Sequence, residues 1–182
     1  MSNNYKRIRY LIQFLRNLKG MKYVVFVEPQ KTDGPPLWCI EEKLPPLKSI
    51  FNSGSACVGL SNIIRRKQGL SIPRNNKIDL GGTESWFKYL KNKKRLEKIN
   101  NNKIYPIGSL LIQDYNSNDQ GHVAIITFSS KKGLCYSKII HSVSGKFGNK
   151  IYDSCVEEKL IDYPYNNRFT HICKPENWIF KD

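Results

Sequence analysis

Two stretches decide the fold: Gly121-His-Val-Ala-Ile-Ile-Thr-Phe128 and Tyr136-Ser-Lys-Ile-Ile-His-Ser142. Both are rich in β-branched residues, which favour strands, and the turn-forming segment Ser129-Ser-Lys-Lys-Gly133 joins them. We therefore predict a β-hairpin whose strands cover His122–Phe128 and Leu134–Val143.

The length of the turn decides which residues of this hairpin face each other. An even-numbered turn places His122 directly opposite His141, with Cβ atoms about 5 Å apart. A three-residue turn with a bulge at Gly133 would instead place Ser142 opposite His122. Two of the three histidines would then meet at the open end of one hairpin. This arrangement favours a functional site over two separately packed histidines.

Helices are predicted early in the chain and strands late. Apolar spacing predicts a helix at Tyr5–Leu18, a helix that starts near Cys57, and one that starts near Glu84 with Thr83 as its N-cap. Further strands are predicted at Tyr23–Val27, Ser109–Gln113 and near Arg168–Cys173. This order predicts an α+β fold with N-terminal helices packed on an antiparallel β-sheet.

Length and composition favour one globular domain over residues 1–182. Hydrophobic residues make up 40% and aromatic residues 12% of the chain, which excludes a disordered protein. Residues 1–49 are read as an extension made of a helix, a strand and a Pro-rich loop. No apolar run approaches the ~20 residues of a transmembrane helix.

The net charge of +15 favours an anionic partner surface, such as acidic lipid, a cell-wall polymer or nucleic acid. Five scattered cysteines, none in a Cys-x-x-Cys pair, argue against structural zinc and for reduced thiols. Gln13 and Arg16 interrupt the apolar stretch near the N-terminus, so no signal peptide is expected. A cytoplasmic or virion-associated protein is expected.

The helix at Tyr5–Leu18 is basic and amphipathic, so it could lie on a membrane or dock on the core of its own domain. Docking on the core is the favoured interpretation.

Cys57 is the main candidate nucleophile. In the first turn of a helix, unpaired N–H groups would lower the thiol pKa and could receive an oxyanion. A thiol nucleophile needs a base, and His122, His141 and His171 are the histidines available. Taken alone, Cys57 would be read as a small buried hydrophobic residue.

Four ordered blocks carry a family resemblance: Ser55-Ala-Cys57-Val-Gly59-Leu-Ser-Asn62, Pro106-Ile-Gly108-Ser-Leu-Leu111, Gly121-His122-Val-Ala-Ile-Ile126 and Ile139-Ile-His141-Ser142. Together they resemble the NlpC-type family of papain-like cysteine peptidases and amidases. The resemblance covers residues 50–145, which would be the catalytic core. Relatives of this family occur in poxviruses and giant viruses, and the Lys- and Asn-rich composition fits such a branch.

The resemblance implies a papain-like fold in which Cys57 is the nucleophile, His122 the base and His141 the residue that orients His122. Ala56 and Ser109 stand where the cell-wall enzymes usually carry Asp, which argues against peptidoglycan as substrate more than against the catalytic pair. For the tyrosine that these enzymes place near the nucleophile, the candidates are Tyr23 and Trp38.

The sequence is compatible with three candidate functions. The first is a cysteine hydrolase that cleaves an amide or isopeptide bond of a peptide or other amide-bearing substrate, with no metal or organic cofactor. The second keeps the same site for lipid acyl transfer or thioester cleavage. The third is a basic virion or interaction protein without catalysis.

Overall fold

The computed structural model describes residues 3–24, 44–73, 82–113, 121–147 and 149–180. Within these ranges the helices are α1 (Asn3–Arg16), α2 (Leu47–Ser53), α3 (Gly59–Lys67) and α4 (Thr83–Asn92). The strands are β1 (Glu97–Lys98), β2 (Leu110–Gln113), β3 (Val123–Phe128), β4 (Lys138–Phe147), β5 (Lys150–Lys159) and β6 (Phe169–Cys173). They form one sheet in the order β1-β6-β2-β3-β4-β5, and each neighbouring pair is antiparallel. The predicted α+β class with an antiparallel sheet is confirmed.

One face of the sheet carries the helix-side core, which is shared by α1, α3, α4 and alternate strand residues. The buried side of α1 consists of Ile8, Leu11, Ile12 and Leu15. The strands contribute Leu110, Ile112, Val123, Ile125 and Ile140. Docking of α1 on its own domain is therefore confirmed, because its apolar side already lies in the core.

The other face carries a second core that is rich in aromatic rings. Successive residues of a strand point to opposite faces, so Leu111, Ala124 and Ile139 lie here while their chain neighbours lie on the helix side. Tyr152, Tyr163 and Phe169 cover this face with buried rings.

The register of β3 and β4 differs from the predicted hairpin. Ile125 pairs with Ile140 and Ile126 with Ile139, so the position across from His122 is Val143, two residues beyond His141. The prediction of direct opposition was wrong because residues 134–136 form a 3₁₀ turn, which moves the start of β4 to residue 138. A shift of two residues keeps each side chain on its face, so the two histidines are diagonal neighbours.

Strand β5 was not predicted, although it forms a ten-pair antiparallel ladder with β4. Its other edge is partly covered by the segment after α1, where Lys22 bridges Ser154. On its other side this segment meets the chain before Cys57, where Tyr23 bridges Ser55. The rest of the predicted strand Tyr23–Val27 from residue 25 on, and Trp38 in the predicted Pro-rich loop, lie outside the described residues. At the end of that loop the chain forms α2 instead.

Among the described helices, none combines the length and apolar character needed to cross a membrane.

Candidate active site

The structure brings His122 and His141 together and adds a third polar side chain. His122 immediately precedes β3, and its Nε2 lies 2.9 Å from Nδ1 of His141 in β4. The remaining nitrogen of His141, Nε2, lies 3.0 Å from Oε1 of Glu158 in β5. These contacts form a continuous hydrogen-bonded row, His122–His141–Glu158. Glu158 was missed because the strand that carries it was missed.

Glu158 is held as a carboxylate. Its Oε2 accepts hydrogen bonds from the Tyr152 hydroxyl at 3.0 Å and from the Lys150 ammonium at 3.2 Å. Partial burial alone would raise the pKa of Glu158, but the hydrogen bonds from His141, Lys150 and Tyr152 outweigh it and lower the pKa below its ordinary value. The end of the row is therefore negatively charged at neutral pH.

Aromatic rings enclose the two histidines. His141 has 0% exposed area, and the Tyr163 ring meets it edge-on at a centroid distance of 4.7 Å. The His122 ring lies 5.7 Å from both Tyr163 and Phe169. Burial, followed by the neighbouring His141, lowers the pKa of His122 well below its usual value. His122 is consequently a neutral imidazole at pH 7 and can accept a proton.

Cys57 lies in a turn and not in the first turn of a helix. Gly59 N–H donates to the Ala56 carbonyl at 3.0 Å, closing a turn that runs into α3, which begins at Gly59. The Cys57 side chain is half-buried, and its Sγ lies 3.7 Å from Oγ1 of Thr83, the first residue of α4. The predicted helix start was thus two residues too early at this position.

Burial raises the pKa of the Cys57 thiol above its ordinary value, against the opposing hydrogen bonds from Thr83 and from the N–H groups of Val58 and Val123. The expectation of a lowered pKa was wrong. Cys57 precedes the helical N–H groups that would stabilise a thiolate. Burial of the sulfur destabilises the thiolate more than the available hydrogen-bond donors stabilise it. At rest the pair is a thiol and a neutral imidazole.

The sulfur occupies a gap between β3 and β4. His122 C=O accepts from Gln113 N–H of β2, so by alternation along the strand the next N–H, that of Val123, points towards β4. The ladder between β3 and β4 begins only at Ile125 and Ile140, and the Val123 N–H donates to Cys57 instead. The sulfur therefore sits where the sheet is open, beside the residue that follows His122.

Hydrogen bonds fix the chain that leads to Cys57. The Ser55 carbonyl accepts from the Ser142 hydroxyl at 2.8 Å and from Val24 N–H at 3.2 Å, and Ser55 N–H donates to the Lys22 carbonyl. These bonds tie the Cys57 turn to β4 and to the segment after α1.

A cavity of about 130 Å³ opens beside His122. Its lining includes Tyr23, Tyr163, Tyr165 and Arg168. Burial and the nearby Cys57 raise the pKa of Tyr23 to about 12, so Tyr23 lies close to the candidate nucleophile. Both polar and aromatic groups thus border the space next to the site.

His171 does not join this row. It lies in β6 with its ring 5.2 Å from Phe87 and its Nδ1 2.9 Å from the Thr170 hydroxyl. Across the described residues, no group of three His, Cys, Asp or Glu side chains is arranged to hold a metal ion.

Gly121 fixes the approach of the chain to His122. Its φ is +72°, and an added Cβ would lie 2.7 Å from Cγ2 of Thr83, the residue that contacts Cys57. We expect Gly121→Ala to lower the unfolding free energy by about 2–3 kcal/mol, from the left-handed backbone and the displaced Thr83, and to reduce turnover. Urea denaturation measures the first effect.

Gly69→Ala is the matched control for this substitution. Its φ is +71°, but nothing lies within 4 Å of the added Cβ. We expect a cost of about 1 kcal/mol and unchanged turnover. Equal costs at Gly121 and Gly69 would contradict a tight contact with Thr83.

In comparisons with protein-family models, with curated proteins and with solved structures, nothing matches the chain.

Proposed function

We propose that the protein is a papain-like cysteine hydrolase that cleaves an amide or isopeptide bond, with Cys57 as nucleophile, His122 as base and His141 as the residue that orients His122. The observation that carries the proposal is the His122–His141–Glu158 row, together with the half-buried thiol of Cys57, which accepts from the N–H of Val123, the residue that follows His122. A thiol nucleophile requires a neutral base within reach, with a third polar group orienting that base through its other nitrogen, and His122 and His141 would fill these two roles.

The first half of the reaction forms a thioester. As Sγ attacks the substrate carbonyl carbon, the Cys57 thiol proton moves to Nδ1 of His122, the nitrogen that does not face His141. The oxyanion accepts a hydrogen bond from the Cys57 backbone N–H. When the C–N bond breaks, His122 returns the proton to the leaving amine.

The second half releases the acid. His122 takes a proton from water as the water oxygen attacks the thioester carbon. The C–S bond then breaks, and the proton passes back to Sγ, so the enzyme returns to its thiol form. This cycle suits the raised pKa of Cys57 and the lowered pKa of His122, because the proton transfers occur during each attack and not beforehand.

The surroundings favour an amide substrate over a lipid. The cavity beside His122 is about 130 Å³ and partly polar, which suits a short polar group better than an acyl chain. The apolar side of α1, which a membrane-bound acyltransferase would need to expose, lies in the core. A peptide or amide-bearing substrate is the proposed class, and the +15 charge supports an anionic surface as partner.

Thiol labelling tests this proposal. A peptidyl acyloxymethyl ketone should label Cys57 in the wild type, and His122→Ala should abolish that labelling. Iodoacetamide, which needs only thiolate, should react with Cys57 at a rate that keeps rising above about pH 8.5, because burial raises the pKa of this thiol. Mass spectrometry of the tryptic peptides measures both rates.

Cys135 supplies the matched control, since it is also half-buried and free. Cys135→Ala should leave the labelling by the ketone unchanged, whereas Cys57→Ala should remove it. Equal labelling of Cys57 and Cys135 by the ketone would identify Cys57 as a structural cysteine and favour the non-catalytic alternative. A rate plateau for iodoacetamide below pH 7 would show a preformed thiolate and contradict the neutral pair.

A further inference from the structure

Glu158 dictates where the protons of this row lie. A carboxylate has no hydrogen to donate, so the 3.0 Å contact with His141 requires that His141 Nε2 carries the hydrogen. The carboxylate is also held by the Tyr152 hydroxyl and the Lys150 ammonium at its second oxygen. Two neighbours outside the histidine pair therefore help to fix its orientation and its charge.

The position of the hydrogen on His141 in turn determines its position on His122. In neutral His141, a hydrogen on Nε2 leaves a lone pair on Nδ1, which can only accept in its 2.9 Å contact with His122. His122 Nε2 must then donate, so neutral His122 carries its hydrogen on Nε2 and a lone pair on Nδ1. With both imidazoles neutral, the contact with Glu158 leaves one arrangement of the two hydrogens.

We propose that Glu158 is a positioning residue that sets the tautomers of both histidines, so that the nitrogen of His122 that does not contact His141, Nδ1, is left unprotonated. The catalytic consequence rests on the proposed function, whereas the tautomers themselves do not. Without the carboxylate, nothing else in the row specifies its direction, because a reversed pair with hydrogens on both Nδ1 atoms makes an equally good His–His hydrogen bond.

The substitution Glu158→Gln should reverse the row. Lys150 can only donate, so the Gln carbonyl oxygen should turn to Lys150 and Tyr152, leaving the amide NH₂ to face His141. His141 Nε2 would then accept, His141 Nδ1 would donate to His122 Nε2, and the hydrogen of neutral His122 would lie on Nδ1. In that form His122 has no lone pair to take the Cys57 proton.

Long-range ¹H–¹⁵N correlation spectra report the tautomer of each of the three histidines directly. We expect Nε2–H on His122 and His141 in the wild type, and Nδ1–H on both in Glu158→Gln. Turnover should fall about 10³-fold in this variant, as expected for a base locked in the wrong tautomer.

Two further variants make the test specific. Glu157→Gln changes the adjacent carboxylate, which pairs with Arg16 and Lys19, and should leave tautomers and turnover as in the wild type. Adding Lys150→Met to Glu158→Gln lets the amide turn its oxygen to His141, so the wild-type tautomers should return. Turnover of the double variant should be at least about tenfold higher than that of Glu158→Gln. Should Glu158→Gln fail to fold, the tautomers of the wild-type protein still decide the proposal, because it requires Nε2–H on both His122 and His141.

Two results would overturn the role of Glu158: Nδ1–H on His122 in the wild type, or wild-type tautomers in Glu158→Gln. Wild-type turnover in Glu158→Gln would overturn its catalytic consequence. Absence of Cys57-dependent turnover in the wild-type protein would instead refute the proposed function, and the tautomers measured by NMR would still decide what Glu158 does.

Discussion

Cys57→Ala should lower turnover of an amide substrate by about 10⁴-fold or more, while the free energy of unfolding stays within about 1 kcal/mol of the wild type. Loss of the sulfur removes the atom that would form the thioester. The stability cost is small because the side chain is half-buried and its Sγ lies 3.7 Å from the Thr83 hydroxyl, a weak contact. Peptide-amide library profiling identifies the substrate, and urea denaturation measures stability.

Cys155→Ala is the reciprocal control. Cys155 lies in β5 within the helix-side core and is 1% exposed, so its truncation should cost about 1–2 kcal/mol of stability. Turnover of Cys155→Ala should differ from the wild type by less than about threefold, because the Cys155 sulfur is not part of the site. Turnover that survives in Cys57→Ala would exclude Cys57 as the nucleophile.

The hairpin that carries both histidines was predictable because strand periodicity is two. The residues Val123 to Phe128 and Lys138 to Val143 are mostly β-branched or aromatic, and alternation together with an even-numbered turn assigns His122 and His141 to one face. The exact pairing was not predictable. It depends on a 3₁₀ turn at residues 134–136, where Leu134 is buried in the second core.

Strand β5 forms because of tertiary contacts that its local sequence does not indicate. Its residues Lys150 to Lys159 include five charged side chains (Lys150, Asp153, Glu157, Glu158, Lys159) and no long apolar run, so the pattern reads as a loop. The strand forms because β4 offers a long free edge and Met21 covers part of the other side, with Cys155 N–H donating to the Met21 carbonyl. Glu158, the partner of His141, was therefore invisible in the sequence.

The protonation state of Cys57 was mispredicted for a related reason. A cysteine near a helix start suggests a stabilised thiolate, but the pKa of the thiol depends on how completely the rest of the fold removes it from water. Thr83 and Val123 come from α4 and β3, far along the chain, and their approach to the sulfur could not be read from its local sequence.

His141→Ala should reduce turnover about 10²–10³-fold, less than Cys57→Ala, because His122 would lose its orienting partner but keep its ring nitrogens. The same change should cost about 2–4 kcal/mol of stability. It opens a cavity at a fully buried position and leaves Glu158 with Lys150 and Tyr152 as partners but without the imidazole. Thermal and urea denaturation check that the variant is folded before turnover is compared.

The two amide variants separate the contacts that His141 makes. The Asn side-chain oxygen overlays imidazole Nδ1, so His141→Asn can accept the hydrogen from His122 Nε2 but does not reach Glu158. The Gln amide nitrogen overlays Nε2, so His141→Gln can donate to Glu158 while its approach to His122 is altered. We expect turnover of His141→Asn to be at least about tenfold higher than that of His141→Ala. His141→Gln should gain less turnover than His141→Asn but should be the more stable of the two. If His141→Ala turned over substrate at the wild-type rate, His141 would be a structural residue, and only Cys57 and His122 would be left in the proposed site.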